Sequence, residues 1–195
     1  MRNNELKLNK AGSRRKQGGF TMLEFAFVAL LIGIASAFFI SGQSGREDIS
    51  RAKSWAGNII QSSSNLENRN ARFPLASRYS GITLANVSAT LTEELRNSIS
   101  GTSVLIDWDA TITLSPTNSV GGSGNSNFMW TVLNVPKSVC EEMLVETANK
   151  ARVALSGSTG TTQVRNTSSS DVLTPTEMGT VCAADSATNS FRVVF

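Results

Sequence analysis

Phe20 to Ile40, "FTMLEFAFVALLIGIASAFFI", is the stretch that most limits what this chain can become. It is apolar except at Thr21, Glu24, Gly33 and Ser36. As a helix it would be about 31 Å long, roughly the thickness of one bilayer core. Such a helix has no polar face to offer water, so it needs lipid or other apolar helices around it. The single acid, Glu24, stands near its start. A carboxylate deep in hydrocarbon costs about 2.5–3.5 kcal/mol on the mildest scale. Near a helix N-terminus that penalty falls, because the backbone dipole is positive there.

What precedes the run sets its topology. Residues 1–19 hold six basic side chains (Arg2, Lys7, Lys10, Arg14, Arg15, Lys16) and one acid, Glu5, and end in Gly18-Gly19. The whole chain has 18 basic and 15 acidic residues, so residues 20–195 keep 12 and 14, a net charge of −2. The alkaline pI of about 9.1 therefore belongs to the leader. It speaks for membrane orientation and against a nucleic-acid-binding face, which would need its Lys and Arg clustered on the folded part. Ala35-Ser36-Ala37 offers an A-x-A pattern of signal-peptide type. The Gly19–Phe20 junction is the better processing point, because removal of 1–19 leaves the apolar helix on the mature protein.

Four zones follow: a leader at 1–19, an apolar helix at 20–40, an amphipathic continuation at 41–71, and a head at 72–195. "SGQSG" (Ser41–Gly45) is a weak-helix patch. Beyond it Ile49, Ala52, Ala56, Ile59 and Leu66 recur at helical spacing, with Ser63 in a gap, so one helix is predicted from Phe20 to about Asn70. Pro74 ends the pattern, and "ATLTEELRNSI" reads as a short helix. "SVLIDWDATITLS" alternates as a strand, "SPTNSVGGSGNSN" is a loop, and "FMWTVLNV" is a second strand stopped by Pro136. "KSVCEEMLVETANKARVAL" has apolar residues at Val139, Met143, Leu144, Ala148, Ala151 and Leu155 and is predicted to be helical throughout. "SGSTGTTQVRNTSSSDVLTP" reads as a loop with one edge strand, and "SFRVVF" as a closing strand. The expected fold class is α+β, an antiparallel sheet with one face against the long helix.

Catalytic chemistry finds little to work with. The chain has no histidine, which removes Ser-His-Asp and Cys-His arrangements and histidine metal sites. Asp107 and Asp109 flank Trp108 on the expected strand and would share a face, as a cation-binding pair or simply as an exposed polar edge. "GGSGNSN" lacks the lysine of a phosphate loop. The expectation is a protein that is not an enzyme and carries neither cofactor nor metal. The two cysteines, Cys140 and Cys182, read as one disulfide if the head lies outside the cytoplasm.

"GGFTMLEFAFVALLIGI" resembles the start of a type IV pilin precursor. "LNVPKSVCEEML" (Leu133–Leu144), a second cysteine and a terminal strand are similar to type IVb pilins, especially the thin-pilus subunits of conjugative plasmids and enteric pathogens. Phe20 stands where many type IVb pilins have Met, and Ser41 where type IVa pilins commonly have proline. The resemblance implies that a prepilin peptidase cuts between Gly19 and Phe20 and that Phe20 is N-methylated. It also implies that Glu24 attracts the Phe20 amine of a neighbouring subunit, so that a wrong register would leave two charges unpaired. A carboxylate without a partner role is the other reading of Glu24. Small residues Ala26, Ala29, Gly33, Ala35 and Ala37 would permit close helix packing. The disulfide would tie the Cys140 helix to the last strand and bound a polar loop region, Ser156 to Pro175, that faces other heads or host cells.

The implied function is that of a major pilin, polymerising with itself into a Gram-negative surface fibre for adhesion, aggregation or conjugative contact. Implied partners are the prepilin peptidase, an inner-membrane platform, an assembly ATPase, the membrane before assembly, and a host or recipient cell surface. The precursor would sit single-pass in the inner membrane with its head in the periplasm, and the product would be extracellular. A minor pilin or type II secretion pseudopilin shares Gly19, Phe20 and Glu24, and a single-pass anchored periplasmic protein is the third alternative.

Overall fold

A computed structural model describes residues 22–118, 125–157, 163–166, 173–184 and 188–195, with side chains at all of these except 22–24, 35–44 and 164–166. The chain forms two compact units, Met1–Gly42 and Gln43–Phe195. The division falls inside the glycine-bearing "SGQSG" patch. Helix α1 is assigned to Met22–Asn70.

In the second unit, α1 earns its place in the core by spacing. Ala52, Trp55, Ala56, Ile59, Ser62, Ser63 and Leu66 are buried and recur every three or four residues, which puts them on one helical face. Ile49, expected on that face, is exposed. After α1 come short helices α2 (Leu84–Val87) and α3 (Glu93–Asn97). The latter lies in the segment expected to be helical.

The sheet has seven strands among the described residues, β1 (Ile99–Ser100), β2 (Ser103–Leu105), β3 (Thr111–Thr117), β4 (Asn127–Val135), β5 (Val153–Ser156), β6 (Gln163–Asn166) and β7 (Asn189–Val194), in the order β1-β2-β3-β4-β7-β5-β6. Every neighbouring pair is antiparallel. The terminal strand is thus central, and β6 is the expected edge strand. Ile112 pairs with Val132, Leu114 with Trp130, and Val132 with Phe191. With Phe128, Val193 and Ala154 these side chains share the main core with α1 and α4 (Lys137–Ala148). The period of two along each strand carries Val153, Leu155, Val194 and Met129 to a second, smaller cluster.

Three expectations are corrected. "SVLIDWDATITLS" is not one strand. Its centre is a 3-10 turn at Asp107–Asp109, with Trp108 and Asp109 at φ 66° and 56°. The Ile106 amide donates to the Ala110 carbonyl at 3.0 Å, so β2 folds back onto β3 with Val104 opposite Ile112. The helix begun at Lys137 stops at Ala148, and the contiguous apolar run Val153-Ala154-Leu155 is buried as a strand between β7 and β6. Ala151 and Leu155 match a helical period, but a run that is apolar at consecutive positions suits a strand covered on both faces. The expected loop from Ser115 is shorter, because β3 continues through Pro116 to Thr117 and β4 begins at Asn127. Helix α5 (Pro175–Val181) is an element that the sequence pattern does not predict.

Candidate functional site

In the first unit, every side chain from Phe25 to Ile34 is exposed. Phe25, Phe27, Leu30 and Ile32 keep 70%, 60%, 59% and 61% of their surface accessible. Ten helical residues make nearly three turns, so the exposure runs all round the helix and not along one stripe. A Cβ built at Gly33 would meet no atom within 4 Å. Ala26, Ala29 and Gly33 are exposed with the larger residues. Contiguous apolar surface of this kind is uncommon on a monomer. Among the described residues, no helix is long and apolar enough to cross a membrane.

Glu24 belongs to α1, one position before this stretch. Its side chain lies outside the described residues, as do those of Ala35 and Ala37, and Gly19 and Phe20 lie outside them altogether.

In the second unit, polar contacts fix α1 to the head. Trp130 Nε1 donates to Ser63 Oγ at 2.8 Å, and that hydroxyl donates to the Ile59 carbonyl at 2.7 Å. Ser62 Oγ accepts from the Thr92 amide at 2.9 Å, and Asn65 Nδ2 donates to the Thr90 carbonyl at 3.0 Å. Glu94 accepts from Asn58 and Ser54. The "DWD" turn adds further contacts. Asp107 accepts from Trp55 Nε1 at 3.0 Å and from Arg51 at 3.3 Å, while Trp108 Nε1 donates to Asp48 at 2.9 Å. The left-handed backbone at Trp108 and Asp109 costs on the order of 1–3 kcal/mol per residue. It turns Asp107 and Trp108 so that both reach α1, which a straight strand would not allow. Asp107 therefore serves α1 and does not pair with Asp109 across one strand face. Among the described residues no group of three or more Cys, Asp or Glu could hold a metal.

Cys140 and Cys182 are joined, with their Cα atoms 5.8 Å apart. Cys140 is in the first turn of α4, and Cys182 is the C-cap of α5. The expected tie to the terminal strand is thus corrected: the disulfide staples helix to helix, and both helices pack against β7. Helix α5 opens with a reciprocal cap. The Thr174 amide donates to Glu177 Oε2 at 2.8 Å and the Glu177 amide to Thr174 Oγ1 at 3.3 Å, with Pro175 at the first helical position. The hydrogen bonds from the Thr174 backbone and side chain hold the Glu177 carboxyl below its usual range. "TPTE" was the available signal for this helix.

No family model matches the chain, and no curated protein matches it.

Proposed function

We propose that this chain is a structural subunit of the type IV pilin kind, closest to type IVb major pilins. The observation that carries the reading is the all-round exposure of Phe25–Ile34, directly after Glu24. Farther along the same helix, the face formed by Ala52, Trp55, Ala56, Ile59 and Leu66 is sealed into a disulfide-bearing head. A helix apolar on every side is at home in lipid before assembly and among identical helices afterwards. Moving between those two surroundings has little hydrophobic driving force, so packing at Ala26, Ala29 and Gly33 and the pairing of Glu24 must select the product.

In this account 1–19 is a leader removed at Gly19–Phe20. The new amine of Phe20 stands four residues before Glu24, and the Glu24 carboxylate seeks the amine of a neighbouring subunit. In a bundle poor in water that pair is strong, and a shifted register leaves both charges unmatched. The role is structural and not catalytic. Extraction from the membrane draws on a platform protein and a cytoplasmic ATPase.

Electron microscopy of sheared surface material, with N-terminal mass analysis of its main band, tests this. A fibre whose subunit begins at methylated Phe20 is expected. An unprocessed, membrane-held band without fibres contradicts it. Gly19→Val is expected to leave an uncut precursor, and mature protein in that variant would remove the assigned cut site.

A further inference from the structure

The head holds a concave site that the pilin reading does not use. It has a volume of about 320 Å³, and Arg69, Arg72, Arg78, Phe73, Tyr79 and Asn86 are among the residues that line it. Arg69 is in the last turn of α1, and Arg72 and Arg78 bracket the 3-10 turn Leu75–Ser77. Three arginines line this one hollow, and no acid among the described residues lines it. Arg51–Asp107 and Lys53–Glu142 form ion pairs elsewhere in the head, and none of the three arginines forms one among the described residues.

The arginines are also partly positioned. Arg78 donates to the Ala71 carbonyl at 3.4 Å, while its Nε is buried with no hydrogen-bond partner among the described residues. A buried donor left without an acceptor costs about 1–3 kcal/mol. The Arg72 guanidinium lies over one face of the Phe73 ring, 5.3 Å from its centre, so a cation and an aromatic ring stand together at the rim. The far wall is held still. Asn86 caps α2 with Thr83 and donates to the Gly81 carbonyl at 2.8 Å, and Tyr79 rests edge-on against the buried ring of Phe128. Burial, followed by the charge of Glu67, raises the Tyr79 pKa, so the phenol stays neutral and able to donate.

We propose that this pocket binds one anionic sugar residue, with its carboxylate between the guanidinium groups and its ring against Phe73. Guanidinium forks match a planar carboxylate. Asn70, Ser77 and Ser80 in the lining suit sugar hydroxyls. The volume takes a single ring and falls at the lower end of the range for small-molecule sites. A nucleic acid is disfavoured, because residues 20–195 carry 12 basic and 14 acidic side chains and offer no extended basic track.

The test uses the full-length chain in neutral detergent micelles, titrated with glucuronic acid, glucose and inorganic sulfate by calorimetry and saturation-transfer NMR. Glucuronic acid is expected to bind at least about tenfold more tightly than either of the others, and more weakly as salt rises. Arg72→Gln and Arg69→Gln change exposed side chains. Each is expected to weaken glucuronic acid about tenfold, with an unchanged melting temperature. Glucose or sulfate binding as tightly as glucuronic acid overturns the proposal, and so does full affinity in both variants.

Discussion

Ser63 interrupts the apolar stripe of α1 because Trp130 ends there. The indole is fully buried, so its N–H must find an acceptor inside, and Ser63 Oγ supplies one at 2.8 Å. The gap in the stripe is visible in the sequence. Its partner, 67 residues away, is not, since nothing local links a helix serine to a strand tryptophan. Ser63→Ala is expected to destabilise the head by about 1–3 kcal/mol, because it strands a buried donor. Adding Trp130→Phe removes the donor, so the double variant should lose less than the sum of the two single losses in urea unfolding. Simple additivity would show that the bond carries no coupling. Glu177 gives a prediction in pH. Its folded pKa lies below the ordinary 4.5. The associated stabilisation is therefore fully present above about 4.5 and is lost as pH falls through the lower folded value. The melting-temperature gap between wild type and Glu177→Gln should shrink on acidification below 4.5, and a gap that widens instead would contradict the cap.

At the scale of elements, the disulfide works on α4 and α5. It closes a sequence separation of 42 residues, for which the chain-entropy relation gives roughly 4 kcal/mol. Replacing both cysteines by serine is expected to destabilise the head by about that amount, with amide exchange rising first in α5 and then in its neighbours. Equal protection of α5 in the oxidised and serine forms would mean that the staple is redundant. The elements that sequence reading places well are α1 beyond Gly45, β4, β7 and the start of α4. Those it misplaces have a pattern that fits two structures. Ala151 and Leu155 continue the helical period of α4, yet they sit in and beside β5, where hydrogen bonding to β7 decides the outcome. "DWD" alternates like a strand, but it becomes a turn because Asp107 and Trp108 find partners on α1. Tertiary contacts of that sort leave no local trace. Helix α5 is a different case, since "TPTE" states its start in plain sequence and only the brevity of the helix hid it.

Over the whole molecule, the assembly reading rests on local sequence features, whereas the architecture of the head does not. The apolar run, its one acid and the glycine before it are local features, and they lead to an assembly reading before any tertiary structure is considered. The head supplies what that reading needs of it, namely a buried seat for the second half of α1 and a covalent staple in the C-terminal region. Its Arg69–Arg72–Arg78 hollow is invisible in sequence, because those residues meet only once the chain has turned after Asn70. The central claim is that apolar helices exchange lipid for one another in a register chosen by Glu24 and the processed Phe20 amine. The most direct measurement is the yield of surface fibres, counted by electron microscopy, from cells making Glu24→Gln beside wild type at equal levels of processed, membrane-inserted subunit. The account predicts a severe loss of fibres in the variant. Wild-type fibre yield from Glu24→Gln would contradict it.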